Sequence, residues 1–145
     1  MFHYIEFKTY CHATENMEKV KKALFFIAGQ ELEIEEDDAE GYFGNPIKIL
    51  EGKISRNQEM DAFFERLPER SIKEMLKDIP KRVDERCNFY LRFDKDEAYQ
   101  EKFEFSRGSN TIRVRARVES YPASRDNAIE KLDDYLSKKL EKGSD

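Results

Sequence analysis

Hydrophobic and polar residues alternate from the start of the chain. In "HYIEFKTYC", His3, Ile5 and Phe7 alternate with Tyr4, Glu6 and Lys8, a period of two that predicts a half-buried strand. Thr14 suits the N-cap of a helix over about 15–28, with Glu15 at its positive end and Met17, Val20, Leu24 and Ile27 along one side. "ELEIEE" and "PIKILEGKI" read as two further strands joined through the glycine-containing turn "EGYFGNP". The period then changes. Met60, Phe63, Phe64 and Leu67 fall at helical spacing, and so do Ile72, Met75, Leu76 and Ile79 behind an S-x-x-E capping box of Ser71 and Glu74. Pro68 separates these two helices and Pro80 is expected to close the second. Alternation returns in "NFYLRF", where Phe89, Leu91 and Phe93 oppose Tyr90 and Arg92, and "KFEF" is expected to continue it. "TIRVRARVES" is the last strand, followed by a helix from about Ser124 to Leu140 with Ile129, Leu132, Leu136 and Leu140 in its stripe. One-sided strands interrupted by helices predict an α+β fold, an antiparallel or mixed sheet with helices packed on one face.

Composition narrows the class. A chain of 145 residues with 39% hydrophobic and 39% charged residues is expected to form one domain over 1–145, with a disordered tail at 143–145. No apolar run reaches the roughly 18 residues of a membrane span, and the N-terminal stretch is too interleaved with polar groups for a signal peptide. A cytoplasmic location without membrane contact is therefore expected. Cys11 and Cys87 have no CxxC spacing and are expected to pack as reduced thiols.

Charge adds an asymmetry that the net value of −5 hides. Seven acids stand between Glu31 and Glu40, and no lysine or arginine occurs between Lys22 and Lys48. From Arg107 to Arg125 the sign reverses, with Glu119 as the one acid. Screening over about 8–10 Å lets such a basic stretch attract a polyanion despite acids elsewhere.

On the last strand Ile112, Val114, Ala116 and Val118 point one way, toward the helices, and Arg113, Arg115 and Arg117 point the other. Successive guanidinium groups are then about 6.5–7 Å apart, near the spacing of phosphates on one nucleic-acid strand. Arginine binds phosphate through paired donors and stacks on bases. If "NFYLRF" shares the sheet, Tyr90 adds a stacking ring and Arg92 a further cation, a combination that suits single-stranded RNA. The bland reading is a solvated strand whose arginines pair with Glu104 or Glu119 and keep the edge soluble. A third reading docks the arginine face on an acidic protein surface, including the 31–40 stretch of another copy, as a protein-interaction module or homo-oligomer.

Catalysis is not expected. His3, His12, Cys11 and Cys87 are too few at metal-site spacing for zinc, and no phosphate loop of the GxxxxGK[ST] kind occurs, so no metal or cofactor is expected.

Four motifs carry a resemblance. "YCHATE" at 10–15, "GYFGNPI" at 41–47, "YLRFDKDEAY" at 90–99 and "IRVRARVESYP" at 112–122 follow the order and spacing of an archaeal family described as predicted RNA-binding proteins or exosome subunits, which the chain resembles over nearly its whole length. The resemblance implies an α+β fold similar to that of the large-subunit ribosomal protein that holds 5S rRNA. It also implies a non-catalytic RNA-binding role, as an accessory of RNA processing or of the exosome. Where the family commonly has glutamine and alanine after "DK", Asp96 and Glu97 follow Lys95 and lower the local positive charge. The candidate nucleic-acid contacts are Arg113, Arg115, Arg117, Arg92, Tyr90, Lys95, His12 and Asn45. Two of these have structural readings beside these roles, His12 in the turn into the first helix and Asn45 in turn chemistry after Gly44, and Asp94 resembles a helix N-cap.

Overall fold

Among the described residues ten elements follow one another, most of them where the periodicities predict. In order they are β1 (Phe2–His12), α1 (Met17–Ala28), β2 (Glu35–Glu40), β3 (Pro46–Ile54), α2 (Asn57–Arg66), α3 (Glu69–Arg82), β4 (Asn88–Asp94), α4 (Lys95–Tyr99), β5 (Thr111–Val118) and α5 (Arg125–Gly143). The computed structural model describes residues 1–143, and beyond Gly143 the expected tail lies outside the described residues. The strands form one open antiparallel sheet in the order β2-β3-β1-β5-β4. The fold class is therefore α+β. Among the described residues no helix is long and apolar enough to cross a membrane. Cys11 and Cys87 are free and buried, as their spacing suggested.

Two compact units divide the chain, one of Met1–Ile5, Ile54–Leu91 and the chain from Arg115, the other of Glu6–Lys53 and Arg92–Val114. In the first, Phe2 stacks on Phe64 at 5.0 Å between ring centroids and meets Tyr135 of α5 edge-on at 5.3 Å. The predicted stripe of α2, Met60, Phe63, Phe64 and Leu67, is buried whole. The start of α3 differs from its capping-box prediction. The helix begins directly after Pro68, whose fixed φ suits a helix start, and Ser71 is drawn inside and buried. Pro80 lies inside the last turn of α3, where its missing N–H costs a single helical bond, and its carbonyl accepts from the Arg125 guanidinium. Ser124 caps α5 by accepting from the Asn127 N–H at 3.2 Å.

In the second unit the N-cap of α1 is Asn16, which accepts from the Lys19 N–H at 3.2 Å. Thr14 is displaced from that role because the turn out of β1 continues two residues further. Gly29 closes the helix at φ 86°, a left-handed conformation that a side chain would resist. The expected strand over 31–36 lies instead at Glu35–Glu40, paired with β3 from Glu35↔Glu51 to Glu40↔Pro46. The Gly41–Asn45 turn sets this register, with the Gly41 N–H donating to the Asn45 carbonyl at 2.8 Å. Leu32, ahead of the strand, packs over Gly52, where a Cβ would meet the Leu32 Cβ at 2.9 Å. "KFEF" also departs from its predicted strand, reduced to an isolated bridge between Phe93 and Phe105. Its Phe103 turns into the core to meet Phe26 of α1 at 4.7 Å and Phe93 at 5.6 Å.

Candidate nucleic-acid interface

β5 buries Ile112, Val114, Ala116 and Val118 and leaves Arg113, Arg115 and Arg117 half-buried on its other side. This follows from alternation alone, since the apolar residues of the strand all fall on one parity. Arg115 and Arg117 belong to the first unit and Arg113 to the second.

Within the first unit the Arg115 guanidinium lies 5.9 Å from the centroid of the Tyr4 ring, a cation–π distance. Tyr90 on β4 also faces Arg115, and its hydroxyl donates to Asp84 at 3.0 Å. Burial and this bond to a carboxylate raise the Tyr90 pKa against the opposing pull of Arg115. Burial alone would raise the Asp84 carboxyl too. Donation from the Asn88 N–H and amide, the Tyr90 hydroxyl and the Arg86 N–H outweighs it and holds Asp84 below its ordinary value. The Tyr90 ring is thus pinned at its polar end.

Within the second unit Arg113 pairs with Glu6 of β1 at 3.3 Å, while its Nε is buried with no hydrogen-bond partner. Lys8 bridges to Glu51 at 3.4 Å and lies 5.8 Å from the half-exposed Tyr10 ring. Arg92 is exposed. Asp94 caps α4 by accepting from the Glu97 N–H at 2.9 Å.

Lys95 has a different use from the phosphate contact expected of it. Its side chain is 2% exposed, and its ammonium donates to the Tyr10 carbonyl at 2.6 Å and to Glu15 at 3.0 Å. A cation so enclosed is held by its partners and is turned away from solvent. His12 is exposed, and its backbone makes the turn into α1, the N–H donating to Glu15 at 3.1 Å and the carbonyl accepting from the Glu15 N–H at 2.9 Å. Asn45 is exposed in the β2–β3 turn, its amide over Gly41, where a Cβ would come within 2.5 Å of Oδ1. The structure therefore brings Tyr90 and Arg115 together, joins His12 and Lys95 through Glu15, and leaves Asn45 at a hairpin tip.

Sequence reasoning missed Tyr4 and Glu6 as neighbours of the arginines. Their parity was visible in "HYIEFKTYC", but only the pairing of β1 beside β5 reveals which strand they face.

A row of arginines on an open antiparallel sheet, with tyrosines beside it, defines an α+β open-sheet protein with a basic strand. The chain belongs to the RNA-binding family, whose model, described as RNA binding, matches residues 4–118. An RNA-binding protein from Pyrococcus abyssi is 34% identical over 143 residues, covering 92% of this chain and 93% of that protein. An uncharacterized protein of Methanocaldococcus jannaschii is 31% identical over 125 residues, covering 79% of this chain and 83% of its own length. The structure of a DUF54 protein from Methanothermobacter thermautotrophicus matches with a TM-score of 0.81 at 32% identity, over 97% of this chain and 98% of that one.

Proposed function

We propose that the chain binds RNA, without catalysis, through the arginine row of β5. The observation that carries this is the row itself, Arg113, Arg115 and Arg117 on one side of one strand, with the Tyr4 and Tyr90 rings beside Arg115. Guanidinium groups about 6.6 Å apart match successive phosphates of a single strand. Tyrosine rings next to them offer bases a stacking surface. Membership of the RNA-binding family and a relative named as an RNA-binding protein support the same reading. Arg92 adds an exposed cation on β4. The order of the four sequence motifs supports placing this binding in RNA processing, including an accessory role at the exosome.

The acidic edge strand favours a second reading. β2 exposes Glu35, Glu36, Asp37, Asp38 and Glu40, so an arginine face could dock on the β2 of another copy. Titration of fluorescent single-stranded and hairpin RNA, read by anisotropy beside light scattering of the protein alone, separates the two. The RNA reading expects saturable binding to RNA. Self-association with no RNA binding would overturn it.

A further inference from the structure

A cleft of about 770 Å³ opens beside α1 and α4 within the second unit. No role on the sheet accounts for it. Lys19, Lys22, Ala23 and Phe26 line it at i, i+3, i+4 and i+7 of α1, so one whole helical face is turned to it, beside the core face of Val20, Leu24 and Ile27. Ala98 and Tyr99 of α4 supply the other wall.

The walls are fixed. Phe26 rests on the buried Phe103 at 4.7 Å, and the Tyr99 hydroxyl donates to Glu15 at 3.0 Å. Glu15 is itself gripped by the buried Lys95 at 3.0 Å and by the His12 N–H at 3.1 Å. Burying a lysine is costly, and the network it anchors ends on an aromatic ring at the cleft. That same grip spends the charge of Glu15. With Glu15 paired to Lys95, the lining keeps the exposed Lys19 and Lys22 against Glu101, a net positive rim. Lys21, between them, is drawn off to Glu36 at 3.1 Å.

Aromatic and methyl walls under a cationic rim match one chemical unit, a planar base carrying a phosphate. We infer that this cleft takes a single unstacked nucleotide of an RNA strand, its base against Tyr99 and Phe26 and its phosphate on Lys19 and Lys22. The inference rests on the reading that the chain binds RNA, but not on which surface of the sheet does so.

The test is long-wave ultraviolet crosslinking of a single-stranded RNA of about 12 nucleotides carrying 4-thiouridine, a length within the roughly 4–16 nucleotides that single-strand-binding OB folds cover, with the adduct mapped by mass spectrometry. A crosslink in the peptides holding Phe26 or Tyr99 is expected. Lys19→Glu/Lys22→Glu should weaken RNA binding about tenfold through lost phosphate contacts, whereas Lys77→Glu/Lys81→Glu, an equal charge change at exposed sites on α3, should weaken it less. Tyr99→Phe should keep the crosslink and Tyr99→Ala lose it. Cleft crosslinks together with an RNA affinity unchanged in an Arg113→Ala/Arg115→Ala/Arg117→Ala variant would uphold the cleft while refuting the arginine row. RNA bound with crosslinks on β4 and β5 alone, unaffected by the cleft variants, would overturn the inference and leave the proposed function standing. Absence of any RNA binding would overturn both.

Discussion

Lys95→Met removes a cation from the middle of a buried network. The ammonium gives up a charge-assisted bond to the Tyr10 carbonyl at 2.6 Å, worth about 1.5–3 kcal/mol, and its pairing with Glu15 at 3.0 Å. Breaking one partner of a fully buried pair costs about 3–5 kcal/mol. Here the Glu15 side chain is 23% exposed and keeps the His12 N–H and Tyr99 hydroxyl as donors, so the carboxylate is left only partly stranded. Together these put the loss at about 3 kcal/mol, a melting temperature lower by about 6–12 °C for a chain of this size. Urea unfolding of wild type, Lys95→Met, Glu15→Gln and the double variant at neutral pH gives the loss and the coupling. The coupling between the two residues should be about 1–2 kcal/mol, because each single variant takes the charged partner from the other residue. A loss under about 1 kcal/mol with coupling near zero would show that Lys95 is not held by this network.

Glu15 and Tyr90 carry further predictions. Burial would raise the Glu15 carboxyl, but bonds from His12, Lys95 and Tyr99 outweigh it and hold the group below its ordinary value of 4.5. A carboxyl depressed in the folded state adds stability that is present above the unfolded pKa and lost as pH falls through the folded one. Unfolding free energy should therefore drop from about pH 4.5 downward, and Glu15→Gln should flatten part of that drop in a urea series across pH. Tyr90→Phe should cost about 1 kcal/mol by removing the donor to Asp84 and leave RNA affinity intact, since the ring remains. Tyr90→Ala should weaken RNA binding by about 1–3 kcal/mol, the worth of one stacked base, read by anisotropy.

Local pattern carried most of the fold. The stripes of α2 and α5, the alternation of β1, β4 and β5 and the capping of α4 by Asp94 all rest on residues within a turn or two of each other. Features set by partners farther along the chain were hidden. β2 moved to Glu35–Glu40 because the turn at Gly41–Asn45 fixes its register against β3, and "ELEIEE" alone cannot express that. Phe103 left a predicted strand because Phe26 and Phe93 offered it a buried place.

The candidate site divides in the same way. The parity of Arg113, Arg115 and Arg117 was legible because a strand's faces alternate by count. Lys95 read as a surface cation because the residues that bury it, Tyr10 and Glu15, lie some eighty positions away. The cleft over α1 was invisible for a related reason. Lys19, Lys22 and Phe26 looked like an ordinary outer face until α4 was placed against them.

Contact between the β5 arginines and RNA phosphates shows in the salt dependence of single-stranded RNA affinity, compared between the wild type and Arg113→Ala/Arg115→Ala/Arg117→Ala. Each phosphate contact contributes about 0.7 to the slope of log affinity against log salt, so losing three should reduce its magnitude by about two. Equal slopes in the two proteins would contradict that contact and assign the arginines to Glu6 and the tyrosines around them.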